Sequence, residues 1–148
     1  MQSCNSRYFV DRNGVVSPYI PVSRSASASE KHQILNTRKN MLYEKMKSAD
    51  KNRDIDAFME LVHDDFVFVR NQNGADVDRT GFYEGRKMMY ASDKVTREKE
   101  RCIYENDDII VEHLFMSLPD DTKEVVMGVW TKKDGKLIGF ENEDTPIK

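Results

Sequence analysis

The chain has 148 residues with 26 acidic and 23 basic side chains, so its formal net charge is −3 and its length suits one domain. Apolar residues make up 39% and charged residues 33%, and no apolar run approaches the roughly 18 residues that a membrane-crossing helix needs. The composition therefore argues against a transmembrane protein, and the weakly acidic charge balance argues against a nucleic-acid partner.

Residues 1–29 differ in composition from the rest of the chain. They contain seven Ser, three Arg and one acidic residue, which gives this segment +2 and leaves −5 for the remainder. Strand-like residues flank the turn sequence 11–14, whose Asn-Gly pair favours a tight hairpin. The composition also matches an organelle transit peptide, but no amphipathic helix accompanies it. We therefore favour a partly ordered or extended arm, followed by a domain over 30–148 in the cytoplasm.

Helical patterns begin at the end of this arm. Ser27 and Glu30 fit the Ser-x-x-Glu capping box, and apolar residues then recur on one face, so the sequence predicts one helix over 27–52. Asp54 is the predicted N-cap of a second helix. His63 is predicted to end that helix, where its proton would suit the negative helix terminus.

Strand patterns dominate the second half of the chain. A third, shorter helix and five strands complete the predicted elements, with the helix at 84–90 and the strands at 66–69, 95–105, 109–118, 124–131 and 136–143. Both faces of the strand at 109–118 are largely apolar. Two or three short helices cover only one face of such a sheet, so we predict that the other face meets a second copy in a homodimer.

The order helix, helix, strand, short helix and long antiparallel strands resembles the nuclear transport factor 2-like (NTF2-like) superfamily, also called SnoaL-like or cystatin-like. Its most specific stretches are Asp-Ile-Asp-Ala-Phe at 54–58, His-Asp-Asp-Phe-Val-Phe at 63–68 and the pair Gly-Val-Trp-Thr and Asp-Gly-Lys-Leu-Ile within 128–138. The resemblance covers about residues 30–148. It implies an α+β cone, in which a strongly curved antiparallel sheet packs against two or three N-terminal helices.

Known members of this superfamily include isomerases, dehydratases, epoxide hydrolases, polyketide cyclases, transport adaptors and assembly domains, so the resemblance leaves the function open. In the steroid-isomerase branch a general-base carboxylate lies about five residues beyond the Asp-Asp pair, and Arg70 occupies that position here. Tyr43 is the only tyrosine in the first helix, but its register does not match that branch without a gap. The histidines, His32, His63 and His113, do not form the dehydratase pair. His113 is predicted to be a hydrogen-bonded structural residue.

Four ionisable side chains on predicted strands are candidates for a catalytic role: Arg70, Arg101, Glu112 and Glu141. Glu112 lies between Ile110 and Leu114 on one strand face, so its burial would raise its pKa into a range useful for proton transfer. We predict that Arg70 orients Glu112 as a catalytic pair. The alternative is an Arg-Glu pair across the sheet with a structural role only, or separate residues at solvated strand ends. The charged residues at 97–100 are predicted to be exposed.

The predicted cone would hold a pocket for a small apolar ligand, lined by Tyr43, Phe58, Phe68, Met116, Met127, Trp130 and Phe140. No phosphate loop, metal-ligand set or nucleophile motif is visible, so neither a metal nor a cofactor is expected. Cys4 and Cys102 fit no disulfide spacing and are predicted to be free thiols. Two functions follow: cofactor-independent acid/base chemistry of the isomerase, dehydratase or hydrolase type, or a non-catalytic dimerisation, assembly or adaptor domain that acts through the sheet face.

Overall fold

The structure, a computed structural model, describes residues 8–10, 16–18, 27–30, 41–70 and 74–147. Its elements in chain order are β1 (Tyr8–Val10), β2 (Val16–Pro18), α1 (Leu42–Asn52), α2 (Ile55–Glu60), β3 (Val62–Arg70), β4 (Ala75–Asp78), α3 (Arg79–Ala91), β5 (Thr96–Glu105), β6 (Ile109–Ser117), β7 (Lys123–Lys133) and β8 (Lys136–Ile147). None of the helices in these ranges is long and apolar enough to cross a membrane.

Six strands form one curved sheet in the order β4-β3-β8-β7-β6-β5. The four long strands β5 to β8 form the antiparallel meander that the sequence predicts. The predicted α+β architecture is therefore confirmed. The sheet is not wholly antiparallel, however, because β3 lies beside β8 and runs parallel to it. The strand β4, which pairs with β3, was not predicted, because its four residues are too few to show a period of two.

The predicted capping box is present at the first described helical turn. The backbone N–H of Glu30 donates to Ser27 Oγ at 3.2 Å, and the backbone N–H of Ser27 donates to Glu30 Oε2 at 2.7 Å. A single helix over 27–52 is nevertheless wrong, because Met41 has an extended backbone with φ −62° and ψ 140°. The helix α1 begins after it at Leu42.

A carboxylate from the sheet caps this new helix start. The backbone N–H groups of Leu42 and Tyr43 donate to the two oxygens of Glu105 at 2.9 and 3.3 Å. Lys132 Nζ donates to Glu105 Oε1 at 2.7 Å, so β5 and β7 together hold the N-terminus of α1. A capping residue so distant in sequence leaves no local pattern, so this cap could not be predicted from the sequence.

The next two helices start at side-chain caps. Asp54 Oδ1 accepts from the backbone N–H of Ala57 at 3.0 Å, as predicted. The helix α2 ends at Glu60, and His63 lies within β3, so its predicted place at a helix end is wrong. The helix α3 starts at Arg79, earlier than predicted, because Asp78 Oδ1 accepts from the backbone N–H of Gly81 at 2.8 Å.

At the N-terminus, β1 and β2 pair as the predicted antiparallel hairpin, and β2 lies beside β5. The domain boundary near residue 30 stays a prediction. Cys102 is a free cysteine as predicted, whereas Cys4 and His32 lie outside the described residues.

The helices α1, α2 and α3 pack on one face of the sheet, called the inner face here, and the core lies between them and the sheet. Its buried apolar side chains come from every layer: Leu42, Tyr43, Met46, Ala49, Phe58, Met59, Val62, Phe66, Phe82, Ile110, Trp130, Leu137 and Phe140. Three ionisable side chains are buried with them, Asp50, Arg86 and Glu112. Buried charges need partners, and theirs define the candidate site.

We predict that Glu105→Ala lowers the free energy of unfolding by about 3 kcal/mol, because it removes the cap of α1 and leaves the buried ammonium of Lys132 without its carboxylate. Chemical denaturation monitored by circular dichroism measures this loss. The matched control is Glu84→Ala on the exposed side of α3, which should change the free energy of unfolding by less than about 0.5 kcal/mol. Equal effects of the two substitutions would contradict the capping role.

Candidate functional site

A cavity of about 780 Å³ lies between α3 and the inner face of the sheet. Its wall is mostly apolar, with a few charged groups, and includes Phe68, Arg70, Val77, Phe82, Arg86, Met88, Met89, Val95, Arg97, Glu112, Leu114, Met116, Leu118, Val126, Trp130 and Phe140. A volume of this order suits a ligand of drug size.

The alternation of β6 explains why Glu112 lies in this wall. Ile110, Glu112 and Leu114 are buried on the inner face, whereas the residues between them point to the other face and are partly exposed. The side chain of Glu112 is 2% exposed. A carboxyl group is thus placed among apolar side chains at the cavity.

Both oxygens of Glu112 accept hydrogen bonds. Trp130 Nε1 donates to Oε1 at 2.8 Å, and an NH2 group of Arg97 donates to Oε2 at 3.3 Å. Burial raises the pKa of Glu112, and this effect outweighs Arg97 and the Trp130 hydrogen bond, which lower it. Glu112 therefore combines a fixed orientation with a pKa above the ordinary range of a glutamate.

Arg97 is shared between three carboxylates. Besides its bond to Glu112, its Nε donates to Glu100 Oε2 at 3.0 Å, and its NH2 group lies 3.6 Å from Asp50 Oδ2. Burial works against its charge, but Asp50, Glu112 and Glu100 raise the pKa of Arg97 still further above its usual range. Arg97 is thus a permanent cation at the base of the cavity.

Asp50 links this arginine to a second one. An NH2 group of Arg86 and the hydroxyl of Tyr90 both donate to Asp50 Oδ1 at 2.6 Å. Burial raises the pKa of Tyr90 to about 12, so Tyr90 is a neutral donor to Asp50 at physiological pH. Together, Asp50, Arg86, Arg97, Glu100 and Glu112 form what we call the charged cluster.

Two more polar groups lie behind Glu112. The hydroxyl of Tyr43 is buried and has no hydrogen-bond partner among the described residues. Burial raises the pKa of Tyr43 above its ordinary range, and the charges of Glu112 and Glu100 add to this shift. Burial, with the charges of Glu105 and Glu112, raises the pKa of the Cys102 thiol to about 12. Both groups are neutral at physiological pH.

An aromatic stack forms the wall beside Glu112. The rings of Trp130 and Phe140 lie 3.9 Å apart at 21°, and Phe68 lies 5.0 Å from Phe140. Gly128 makes room for the stack, since a Cβ at that position would lie 2.6 Å from Phe140 Cε2 and 3.4 Å from Glu112 Cγ. A side chain at this position would therefore displace Phe140 or Glu112.

Two carboxyl groups lie in the wall farther along the sheet. Asp144 accepts from Asn142 Nδ2 at 2.6 Å. Burial raises the pKa of Asp144, and the charge of Arg70 opposes this. Burial and the charge of Asp144 also raise the pKa of Glu124. Within residues 41–70 and 74–147, no group of three or more His, Cys, Asp or Glu side chains is placed to hold a metal ion.

No protein-family model matches this sequence, and no curated protein is similar to it. Solved structures with the same architecture do match it. IdmH from Streptomyces antibioticus, a candidate polyketide cyclase, has a TM-score of 0.57 and 13% identity over 70% of this chain and 88% of that chain. A candidate ketosteroid isomerase from Kribbella flavida has a TM-score of 0.57 and 13% identity over 72% and 77%.

A third similar structure is an NTF2-like protein of unknown function from Burkholderia xenovorans, with a TM-score of 0.58 and 12% identity over 80% of this chain and 87% of that chain. This chain has the NTF2-like fold. The resemblance inferred from the sequence is therefore confirmed at the level of the fold. At 12% to 13% identity, the shared fold does not show which residues of this chain have a functional role. A function for this chain must therefore be argued from its own site.

Among the described residues, no hydrogen bond or ion pair joins the predicted catalytic pair, Arg70 and Glu112. Arg70 lines the cavity, but it is exposed near the end of β3, with its guanidinium 5.3 Å from the centre of the Phe68 ring. The partner of Glu112 is Arg97, which the sequence analysis expected to be exposed. The pairing of β5 with β6 is irregular on both sides of Arg101. Simple alternation along β5 therefore does not predict which of its side chains face the cavity.

Four of the seven predicted pocket residues line the cavity, Phe68, Met116, Trp130 and Phe140. Tyr43 and Phe58 are buried in the core and do not line it, and Met127 lies 43% exposed on the opposite face of the sheet. The hydrogen bond expected for His113 is not found at Nδ1, which has no partner among the described residues.

Asp50 and Arg86 were also missed, although the sequence contains a signal for each. Asp50 follows Met46 by four residues, and Arg86 follows Phe82 by four, so each lies on the apolar face of its helix. A charged residue on an apolar helix face needs a buried partner. The two residues are partners of each other, 36 positions apart.

We predict that Gly128→Ala lowers the free energy of unfolding by about 2 kcal/mol, because its methyl group must displace Phe140 or Glu112. The matched control is Gly85→Ala in α3, where an added Cβ meets nothing within 4 Å and the helix gains from alanine. Thermal unfolding of both variants tests this contrast. A Gly128→Ala protein as stable as Gly85→Ala would show that the stack tolerates the methyl group.

Proposed function

We propose that this chain binds a small, largely apolar molecule in the cavity and transfers a proton to or from it through Glu112, without a cofactor. The observation that carries this proposal is the position of Glu112, a buried carboxyl group in the wall of an apolar cavity. Proton transfer of this kind serves isomerases, dehydratases and some hydrolases.

The surroundings of Glu112 support a chemical role rather than a packing role. A carboxyl group whose burial raises its pKa exchanges protons closer to physiological pH than a solvated one. Arg97 and Trp130 each bind one oxygen, so they fix the orientation of the carboxyl group and stabilise its ionised form when it appears. Arg97 is therefore a positioning residue in this proposal.

The cavity wall supports an apolar ligand. Phe68, Phe82, Trp130 and Phe140 present aromatic surface to the cavity, and Met88, Met89 and Met116 add flexible thioether side chains. The similar structures of a candidate polyketide cyclase and a candidate ketosteroid isomerase agree with small-molecule chemistry in this fold.

The proposal predicts that the protein catalyses deuterium exchange at the activated carbon of 2-tetralone, an apolar bicyclic ketone, in deuterated buffer. Glu112→Gln should lower this rate by about a hundredfold or more, because it keeps the shape but removes the ionisable carboxyl group. Gly85→Leu, which adds a side chain to the cavity wall, should also lower it. Ala91→Leu, on the same helix but outside the wall, is the matched control.

Proton magnetic resonance follows the exchange directly. Equal rates for the unmodified protein and Glu112→Gln, with both proteins folded, would contradict a proton-transfer role for Glu112. An exchange rate that is sensitive to Glu112→Gln but not to Gly85→Leu would place the reacting ketone outside the proposed cavity.

A second candidate function is self-association through the outer face of the sheet, the face opposite the helices. An apolar strip crosses the middle of this face and consists of three register pairs, Val111 with Val129, His113 with Met127, and Phe115 with Val125. Burial and the charge of Arg101 lower the pKa of His113, so it is a neutral member of this strip. The strip is partly exposed, and Met127 is its most accessible side chain.

Opposite charges flank this strip. Lys99 and Arg101 lie on the β5 side, with Lys99 Nζ 4.8 Å from the Phe115 ring, and they outnumber the one acid there, Glu98, which pairs with Phe115. Glu141 and Glu143 lie on the β8 side. A two-fold axis parallel to the strands would place β5 of one copy against β8 of the other. The net positive β5 side would then face the acidic β8 side, so the layout favours a homodimer.

We predict a dimer in sedimentation velocity at micromolar concentration, and a dissociation constant that Met127→Glu raises by more than about tenfold. Met88→Glu introduces the same charge at an exposed methionine of α3 and is the matched control. A single-chain mass for the unmodified protein would exclude this dimer. Equal weakening by both variants would place the contact elsewhere.

A further inference from the structure

The charged cluster contains more acids than bases. Asp50, Glu100 and Glu112 supply three carboxyl groups, and Arg86 and Arg97 supply two guanidinium groups. Within the described part of the chain, the ion pairs of these five side chains are all made among themselves. If every member were ionised, the cluster would carry a net charge of −1.

An unbalanced charge out of water is unfavourable, and a carboxyl group can remove it by keeping its proton. The other groups near Glu112 do not supply the missing positive charge. They come from α1, α3, β5 and β7, and they are Tyr43, Asp50, Arg86, Arg97, Glu100, Cys102 and Trp130. Tyr43 and Cys102 are neutral, and Trp130 does not titrate.

The three carboxyl groups differ in how well their ionised forms are stabilised. Asp50 accepts two hydrogen bonds of 2.6 Å, one of them from the cationic Arg86, and lies near Arg97 as well. Glu100 binds Arg97 at 3.0 Å and is 17% exposed, so water helps to stabilise its charge. Glu112 has the longer bond to Arg97, at 3.3 Å, a neutral donor in Trp130, and the least exposed side chain of the three.

We propose that the charged cluster holds one extra proton at neutral pH and that this proton resides on Glu112, so that the site starts its cycle as a carboxylic acid. The assignment of a proton-donor role rests on the function proposed above. Glu112 would give its proton to an oxygen atom of the bound molecule, breaking its own O–H bond as the new one forms. Arg97 and Trp130 would then stabilise the carboxylate that remains, and this carboxylate would regain a proton, directly or through water, as the bound molecule loses one from its activated carbon.

The chain contains a reporter for this proton. Trp130 is the only tryptophan, and its indole N–H donates to Glu112. Its fluorescence should change as Glu112 ionises, because a carboxylate accepts that hydrogen bond more strongly than a carboxylic acid does. The full-length protein can be titrated without any ligand.

We expect the carbonyl stretch of a protonated carboxyl group in the infrared spectrum at neutral pH, and its loss in Glu112→Gln. We also expect a Trp130 fluorescence change with a midpoint on the alkaline side of neutrality, absent in Glu112→Gln. Absence of that band at neutral pH, or a midpoint on the acidic side, would overturn the proposal.

Two further variants test the role of the shared arginine. Glu100→Gln frees Arg97 for Glu112 and should move the midpoint down by about one pH unit, whereas Arg97→Gln should move it up. Glu98→Gln, an exposed neighbour on β5, should leave it in place. If Arg97→Gln does not fold, Glu100→Gln still decides, because an unchanged midpoint in that variant contradicts the sharing of Arg97.

The outcomes separate this inference from the proposed function. Exchange of 2-tetralone that depends on Glu112, without the carboxylic-acid band, would retain the proton-transfer function and reject the location of the proton. The band without any exchange would retain the location and reject the function.

Discussion

The guanidinium group of Arg97 connects the helical layer to the sheet. It lies on β5 and contacts Asp50 of α1, Glu100 of its own strand and Glu112 of β6, while Asp50 in turn holds Arg86 of α3. Planar donors on several edges allow one side chain to serve several acceptors, which a lysine could not do in a fixed geometry. The packing of three elements and the orientation of Glu112 thus depend on the same group.

The fold could be predicted from the sequence because its signals are local and repeated. The capping box at Ser27 and Glu30, the cap at Asp54 and the four long strands each follow from neighbouring residues. The interruption at Met41 was missed, because the Glu105 carboxylate that caps α1 comes from more than sixty positions away. Local propensity cannot register a cap of that kind.

Only part of the candidate site was predicted, because some of its residues are marked by a local sequence pattern and others are brought together only by the tertiary structure. Glu112 was found because strand alternation alone places it among apolar neighbours. Arg97 was not found, because irregular pairing in β5 shifts the parity of that strand. Asp50 and Arg86 could have been suspected from their positions on apolar helix faces, but their pairing needs the tertiary structure.

The cap at Glu105 has a consequence for how this chain can vary. Because β5 and β7 fix the first residue of α1, the position of Asp50 is set by the count of residues from Leu42 onwards. Insertions or deletions before Met41 therefore leave the register of Asp50 with Arg86 and Arg97 unchanged. Homologous chains are free to differ in length before this point, whereas a single-residue change between Leu42 and Asp50 would rotate the carboxyl group by about 100° around the helix.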